Sequence, residues 1–176
     1  MSDRETARLR LRRWSTDDLD AYARLCADPE VMRYLGGRPF TRAQSEQQMR
    51  GFMEHWDAHG FGLWAVDHFD DHRFIGFIGL STHTWFPGVE VGWRLDRDYW
   101  GRGLATEGAA VSLRFGFEEL GLDRIVSIHP PENVRSRRVM EKSGLTFDLE
   151  TVLPHNQLLV WVYAITRPQW AALRAQ

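Results

Sequence analysis

Trp100-Gly101-Arg102-Gly103-Leu104-Ala105-Thr106-Glu107 is the stretch from which the rest of the chain can be read. It lies between a strand-like run, Val89–Leu95, and the strongest helical pattern, residues 104–120. In that helix Leu104, Val111 and Phe115 form one apolar row, and Ala109, Leu113, Phe117 and Leu120 form another. Small residues at 101, 103 and 105 let a ligand come close to the backbone. The unpaired N–H groups of the first helical turn then face that ligand, and the helix dipole favours an anion there. The stretch therefore describes a phosphate cradle. A P-loop would end in Gly-Lys-Ser/Thr, but Gly108 is followed by Ala109 and Ala110. A dinucleotide-binding loop would have a third Gly where Thr106 stands and would sit in the first βα unit of the chain.

Upstream, Leu9 and Leu11 alternate with arginines as a short first strand, and Ser15 or Thr16 caps a helix with Asp17 and Asp18 in its first turn. Asp28-Pro29 ends that helix, and a short turn over residues 30–35 stops at Gly36-Gly37. Thr41 caps a helix to His59 whose apolar positions are Met49, Phe52, Met53 and Trp56. Residues 63–66 and 74–80 then read as a hairpin, with Gly76 and Gly79 marking close backbone approach. Val89–Leu95 puts Val89, Val91, Trp93 and Leu95 on one face and Glu90, Gly92 and Arg94 on the other. Downstream follow a strand at Arg124–His129, a helix over 134–143, strands over 145–151 and 158–166, and a closing helical turn over 168–173. Interleaved helices and strands predict one mixed-sheet α/β (α+β) domain over residues 1–176.

A chain of 176 residues can bury roughly 70% of its unfolded surface, so its core needs no staples. Its lone Cys26 excludes an internal disulfide and points to a reducing, cytoplasmic setting. Cys26 lies on an apolar helix face with no basic neighbour in view, which reads as packing rather than nucleophile. A formal charge of −2 offers no basic field for nucleic acid or an anionic membrane. The longest apolar run, residues 158–165, falls far short of the roughly 20 residues that span a bilayer. Residues 1–13 lack the apolar stretch of a secretory signal. His55 and His59 have the spacing of a zinc-protease helix, but Trp56 stands where the Glu base belongs, so no metal is expected. His68 and His72 bracket Asp70-Asp71 in what reads as a solvated hairpin loop. Of the eight Trp, Trp56, Trp64 and Trp161 fall on predicted apolar faces.

A third kind of phosphate loop remains, and here the sequence resembles the GNAT superfamily of acyl-CoA N-acyltransferases. That family has a Gln/Arg-x-x-Gly-x-Gly/Ala loop, and Gly103 and Ala105 match its last two fixed positions. Trp100 replaces the first, as in the branch resembling the Rim-type enzymes that acetylate ribosomal-protein N-termini, whose loop reads Trp-Gly-Lys/Arg-Gly-x-Ala-Thr-Glu. Asp28-Pro29-Glu30-Val31-Met32-Arg33-Tyr34, Glu90-Val91-Gly92-Trp93-Arg94-Leu95 and Asn133-x-x-Ser136 followed by Arg138-Val139-Met140-Glu141-Lys142-Ser143-Gly144 match that branch in the same order. The resemblance covers roughly residues 6–166. It implies a mostly antiparallel sheet of six to seven strands, about four flanking helices, and splayed fourth and fifth strands.

The resemblance also implies acetyl-CoA as cosubstrate and a primary amine as acceptor. Backbone groups of Gly92, Trp93, Arg94 and Leu95 would hold the pantetheine arm. The amides of Arg102, Gly103, Leu104 and Ala105, flanked by Trp100, Gly101 and Thr106, would hold the pyrophosphate, with Asn133 and Ser136 nearer the sulfur. Acyl transfer to an amine needs a base, a polarised carbonyl and a proton for the departing thiolate. Glu90 is the candidate base, and a backbone N–H near residues 92–93 the polarising group. Many family members carry a Tyr as proton donor where this chain has Met140, which leaves Ser136 as the candidate. Trp85, with Tyr34 and His83, would wall an amine pocket, and His129 follows a strand on the same side. The acceptor stays open between a protein N-terminus, a polyamine-like or antibiotic amine and an amino-acid derivative. A non-catalytic acyl-CoA sensor with the same fold is the competing reading, and exposed aromatics suit either a homodimer face or a substrate wall.

Overall fold

The computed structural model describes residues 3–154 and 156–175. Eight strands form one sheet in the order β1-β2-β3-β4-β5-β6-β8-β7: β1 Arg4–Glu5, β2 Leu9–Arg12, β3 Leu63–His68, β4 Arg73–Thr82, β5 Val89–Leu95, β6 Arg124–His129, β7 Thr146–Val152 and β8 Leu159–Thr166. Every neighbouring pair is antiparallel except β5 and β6. Six helices accompany it: α1 Leu19–Ala27, α2 Pro29–Met32, α3 Arg42–His59, α4 Leu104–Arg114, α5 Val134–Lys142 and α6 Arg167–Arg174. The architecture is the expected one, with one strand more than the expected range. The addition is the two-residue β1, too short to carry a period, which pairs with β2 through Arg4–Leu11 and Glu5–Arg10. The two helices beyond the expected four are the short α2 and the terminal α6.

Local chemistry sets the element ends. Ser15 caps the turn leading into α1, and Thr41 and Gln44 form a capping box at the start of α3. Gly60 closes α3 at a φ of 72°. Asp28 accepts from the Glu30 N–H and carries the chain directly from α1 into α2. A single π turn, Phe115–Glu119, extends α4.

The sheet is packed on both faces. Trp14, Tyr22, Cys26, Met49 and Phe77 form a core beneath α1 and α3, while Trp64, Ile78, Leu104, Phe115 and Tyr163 belong to a larger core on the α4 side. Gly76 and Gly79 are close-approach positions, as expected: an added Cβ would lie 2.0 Å from the Arg94 carbonyl oxygen at Gly76 and 2.4 Å from the Gly62 oxygen at Gly79. Trp56 and Trp64 are fully buried, and Trp14 joins them, whereas Trp161 is half-buried and donates to Glu150.

Two expectations are corrected. β3 runs on to His68, which is buried and hydrogen-bonded to Asp71 rather than solvated in a loop. Cys26 does have a basic neighbour: Arg94 Nη1 lies 3.2 Å from its Sγ and also donates to Tyr22 and Gln48. Burial raises the Tyr22 phenol well above its ordinary range, so the pocket keeps it a neutral partner for the Arg94 cation.

Candidate active site

Among the described residues β5 and β6 are paired as strands only at Val89–Ile125 and Glu90–Val126. Beyond that point they part and leave a groove of about 700 Å³ between the second half of β5 and the start of α5. Strand alternation decides which backbone groups face the gap. Val91 O accepts from Ser127 on β6, while Asp96 N donates to Ile75 O in β4. Val91, Trp93 and Leu95 therefore turn their backbone groups toward the gap, and Gly92 and Arg94 turn theirs toward β4. The Arg94 side chain points under α1, so of the four expected backbone contacts, Trp93 and the N–H of Leu95 have the open edge, while the Leu95 carbonyl is taken by Trp100.

At one end of the groove is the loop from Trp100 to Thr106. Gly101 and Gly103 have φ of 74° and 80°, a region where only Gly sits without strain. Gly103 is the α4 N-cap and offers no side-chain hydrogen bond to the first turn, so the amides of Leu104, Ala105 and Thr106 stay free for a ligand. Trp100 donates from Nε1 to Leu95 O, which fixes the indole in the groove wall, and the Arg135 guanidinium lies 4.9 Å from its ring. Arg102 is exposed, with its guanidinium 5.1 Å from the Tyr99 ring. Arg102, Arg135, Arg138 and Lys142 have no ion-pair partner among the described residues. An open strand edge leading to free amides and unpaired cations suits a long ligand with a polar arm and a polyanionic end.

Glu90 stands where the strands part. Its Oε2 is paired with His83 Nε2, and its Oε1 accepts from the Ile128 N–H at 3.1 Å. The hydrogen bond to Glu90 raises the His83 pKa above its ordinary value, against the opposing effect of burial. Trp85 lies 5.7 Å from His83 and 5.5 Å from Phe86, ring centre to ring centre. Tyr34 lines the groove beside Arg33 and Leu35, and among the described residues it makes no ring contact with Trp85. The structure therefore brings His83, Trp85 and Glu90 together and places Tyr34 on a separate wall.

On the opposite wall Asn133 caps α5 by accepting from the Ser136 N–H at 3.2 Å, and both residues line the groove. Asn133 thus has a structural role whether or not a ligand is present. Met140 is fully buried in the core, and Tyr99 commits its hydroxyl to Asp71. Tyr163 is buried beside His129 and Phe147. His129 is buried as well, with Nδ1 on Pro130 O and Nε2 without a partner, and desolvation lowers its pKa. His55 is hydrogen-bonded to Phe61 O and Thr82, and no cluster of three or more potential metal ligands occurs among the described residues.

From sequence, no role is assigned to the cations of α5, nor to Leu35 beside Tyr34 on the groove wall. Arg135, Arg138 and Lys142 share one face at i, i+3 and i+7, and that spacing was the available signal. No helix among the described residues is long and apolar enough to cross a membrane.

Residues 8–146 match the acetyltransferase (GNAT) domain family. FsC-acetyl coenzyme A-N(2)-transacetylase of Aspergillus fumigatus is 32% identical, over 96% of this chain and 78% of that protein. A GNAT-family acetyltransferase from Bacillus anthracis superposes with a TM-score of 0.82 at 26% identity, covering 95% of this chain and 99% of that one. Ribosomal-protein-S5-alanine acetyltransferase from Vibrio fischeri shares the fold, with a TM-score of 0.72 at 20% identity over 97% and 99% of the two chains.

Proposed function

Because the chain belongs to the GNAT family of acetyl-CoA-dependent acetyltransferases, we propose that it acetylates a primary amine by direct attack in a ternary complex, with His83 and Glu90 as the base. The observation that carries this reading is the His83–Glu90 pair at the point where β5 and β6 part. Acetyl-CoA supplies an acetyl group activated as a thioester, whose thiolate leaves readily.

The chain's own residues supply the rest. Both Glu90 oxygens are engaged, so the free lone pair of the pair is on His83 Nδ1 when Nε2 carries the proton shared with Glu90. His83 takes the proton that the amine must lose, and Glu90 stabilises the imidazolium that results. The Trp93 N–H, on the open edge, is the donor placed to polarise the acetyl carbonyl. Trp93 and Leu95 hold the pantetheine arm, while Gly103, Leu104, Ala105 and Thr106 hold the pyrophosphate through their amides. Ser136, on the opposite wall, relays a solvent proton to the thiolate, taking one from water as it gives its own, while the amine's proton leaves His83 to solvent.

Trp85 and Phe86 border the acceptor position, favouring an amine carried on an apolar or extended body. The name of the Aspergillus relative specifies transfer to an N(2) nitrogen, so FsC joins peptide N-termini, polyamines and amino-acid derivatives as acceptors to compare. Thiol release is followed for each amine with wild-type enzyme and Glu90→Gln. Turnover of at least one amine that collapses in the variant supports the reading. Binding of acetyl-CoA with no turnover of any amine would leave the sensor reading instead.

A further inference from the structure

Arg8 stands 99 positions before Glu107 in the chain and meets it directly. Its Nε donates to Glu107 Oε2 at 2.8 Å, its Nη2 donates to the same oxygen at 2.5 Å, and its backbone N–H reaches Oε1 at 3.1 Å. The remaining nitrogen, Nη1, donates to the carbonyl oxygen of Arg102 at 2.8 Å. One side chain thus ties the N-terminal segment to α4 and to the middle of the Gly-rich loop.

We infer that Arg8 and Glu107 are positioning residues for the phosphate-binding loop, acting through the Arg102–Gly103 peptide. This rests on the reading that the loop holds the pyrophosphate. In a trans peptide the C=O and the following N–H point in opposite directions. With the Arg102 carbonyl held toward Arg8, the Gly103 N–H turns away from Arg8, and Gly103 is one of the residues that line the groove. Gly103, with its φ of 80°, tolerates either orientation of this peptide, because Gly has no Cβ to resist a flip. A flip would present a carbonyl oxygen to the ligand phosphate in place of a donor. The Arg8 tether opposes that flip, and Glu107 holds the guanidinium in place from the first turn of α4.

The exposure of the pair supports a positioning role. The Arg8 side chain is 41% exposed and that of Glu107 19%, and pairs so open to water add little to global stability. Arg10, two residues further on in β2, makes a comparable exposed pair with Asp3 but touches no part of the loop. It provides an internal control.

The test compares two ligands by calorimetric titration and by KM: coenzyme A or acetyl-CoA, and pantetheine or acetyl-pantetheine, which lack the pyrophosphate. For Arg8→Gln the affinity for coenzyme A falls at least about tenfold, as expected for lost charge-assisted positioning, while pantetheine binding is unchanged. Glu107→Gln shifts the same preference in the same direction by less, and Arg10→Gln shifts neither ligand. Circular dichroism and thermal melts establish that each variant is folded. If Arg8→Gln weakens both ligands equally, or neither, the positioning role is overturned. If wild-type protein itself binds coenzyme A no better than pantetheine, the phosphate-loop reading falls and the inference falls with it. A lost preference in Arg10→Gln would also overturn it, since charge at this edge rather than the tether would then be responsible.

Discussion

Glu90 holds His83 by one carboxylate oxygen and the Ile128 amide by the other, so a single side chain joins β5, β6 and the segment that follows β4. The arrangement leaves no freedom in the carboxylate and one free nitrogen on the imidazole. In the proposed mechanism both residues act, and for different reasons.

Replacing Glu90 by Gln keeps the size of the side chain and removes the charge that stabilises the imidazolium. A loss of about 10²–10⁴-fold in kcat is expected from the removal of general-base assistance, with the KM for acetyl-CoA little changed. Steady-state kinetics with one amine measure the split. Wild-type kcat in Glu90→Gln would remove the pair from the mechanism.

The pH dependence has a definite sign. Glu90 raises the His83 pKa above its ordinary 6.5, so the free base forms only at higher pH. kcat/KM should rise with pH through a midpoint above that value, and His83→Asn should lose this limb while the amine's own ionisation remains. The stability linkage runs the other way. Protonated His83 stabilises the fold below the unfolded-state pKa, and this contribution fades as pH rises through the folded pKa. Melts of wild type and His83→Asn should therefore converge at alkaline pH.

Trp85 is half-buried against His83 and lies outside the lining of the cofactor groove. Trp85→Ala should raise the KM for the acceptor and leave that for acetyl-CoA unchanged. Equal acceptor KM values in wild type and variant would exclude Trp85 from the amine pocket.

Gly76 has the least room of any glycine in the sheet. Its φ is 135°, and a Cβ would sit 2.0 Å from the Arg94 carbonyl oxygen, a backbone atom that cannot swing aside. Gly76→Ala should cost about 3 kcal/mol from strain and overpacking together, read as a lowered denaturation midpoint. It also displaces β5 at Arg94, so weaker binding of coenzyme A should accompany the loss of stability. Gly88 has open space around it and a positive φ of 107°, so Gly88→Ala separates backbone strain from collision.

Local signals carried much of this structure. The loop could be read because Gly101, Gly103 and the apolar rows of α4 are all near neighbours, and β6 occupies the expected Arg124–His129. What escaped depends on contacts between distant segments. The strand pattern puts Arg94 on the face of Glu90 and Gly92, and nothing near it in the chain announces that α1 and α3 bring Tyr22, Gln48 and Cys26 over it. Arg8 looks like one of several alternating arginines, and nothing near it in the chain announces Glu107. His68 was misread because β3 runs two residues beyond the apolar pattern that suggested its end. Of the acceptor wall, the His83–Trp85–Glu90 grouping was legible from its short loop, whereas the separate place of Tyr34 depends on how α2 sits over the groove.

The two-residue contact between β5 and β6 has a mechanical consequence. It makes the sheet a pair of blades sharing a rivet at residues 89–90, with each half braced by its own antiparallel ladder. Motion that opens the blades far from the rivet, near Leu95 and the Gly-rich loop, displaces the rivet itself least. The Glu90 carboxylate sits at that pivot, bonded to both blades. An opening of the groove about this point would leave the Glu90–His83 pair nearly in place.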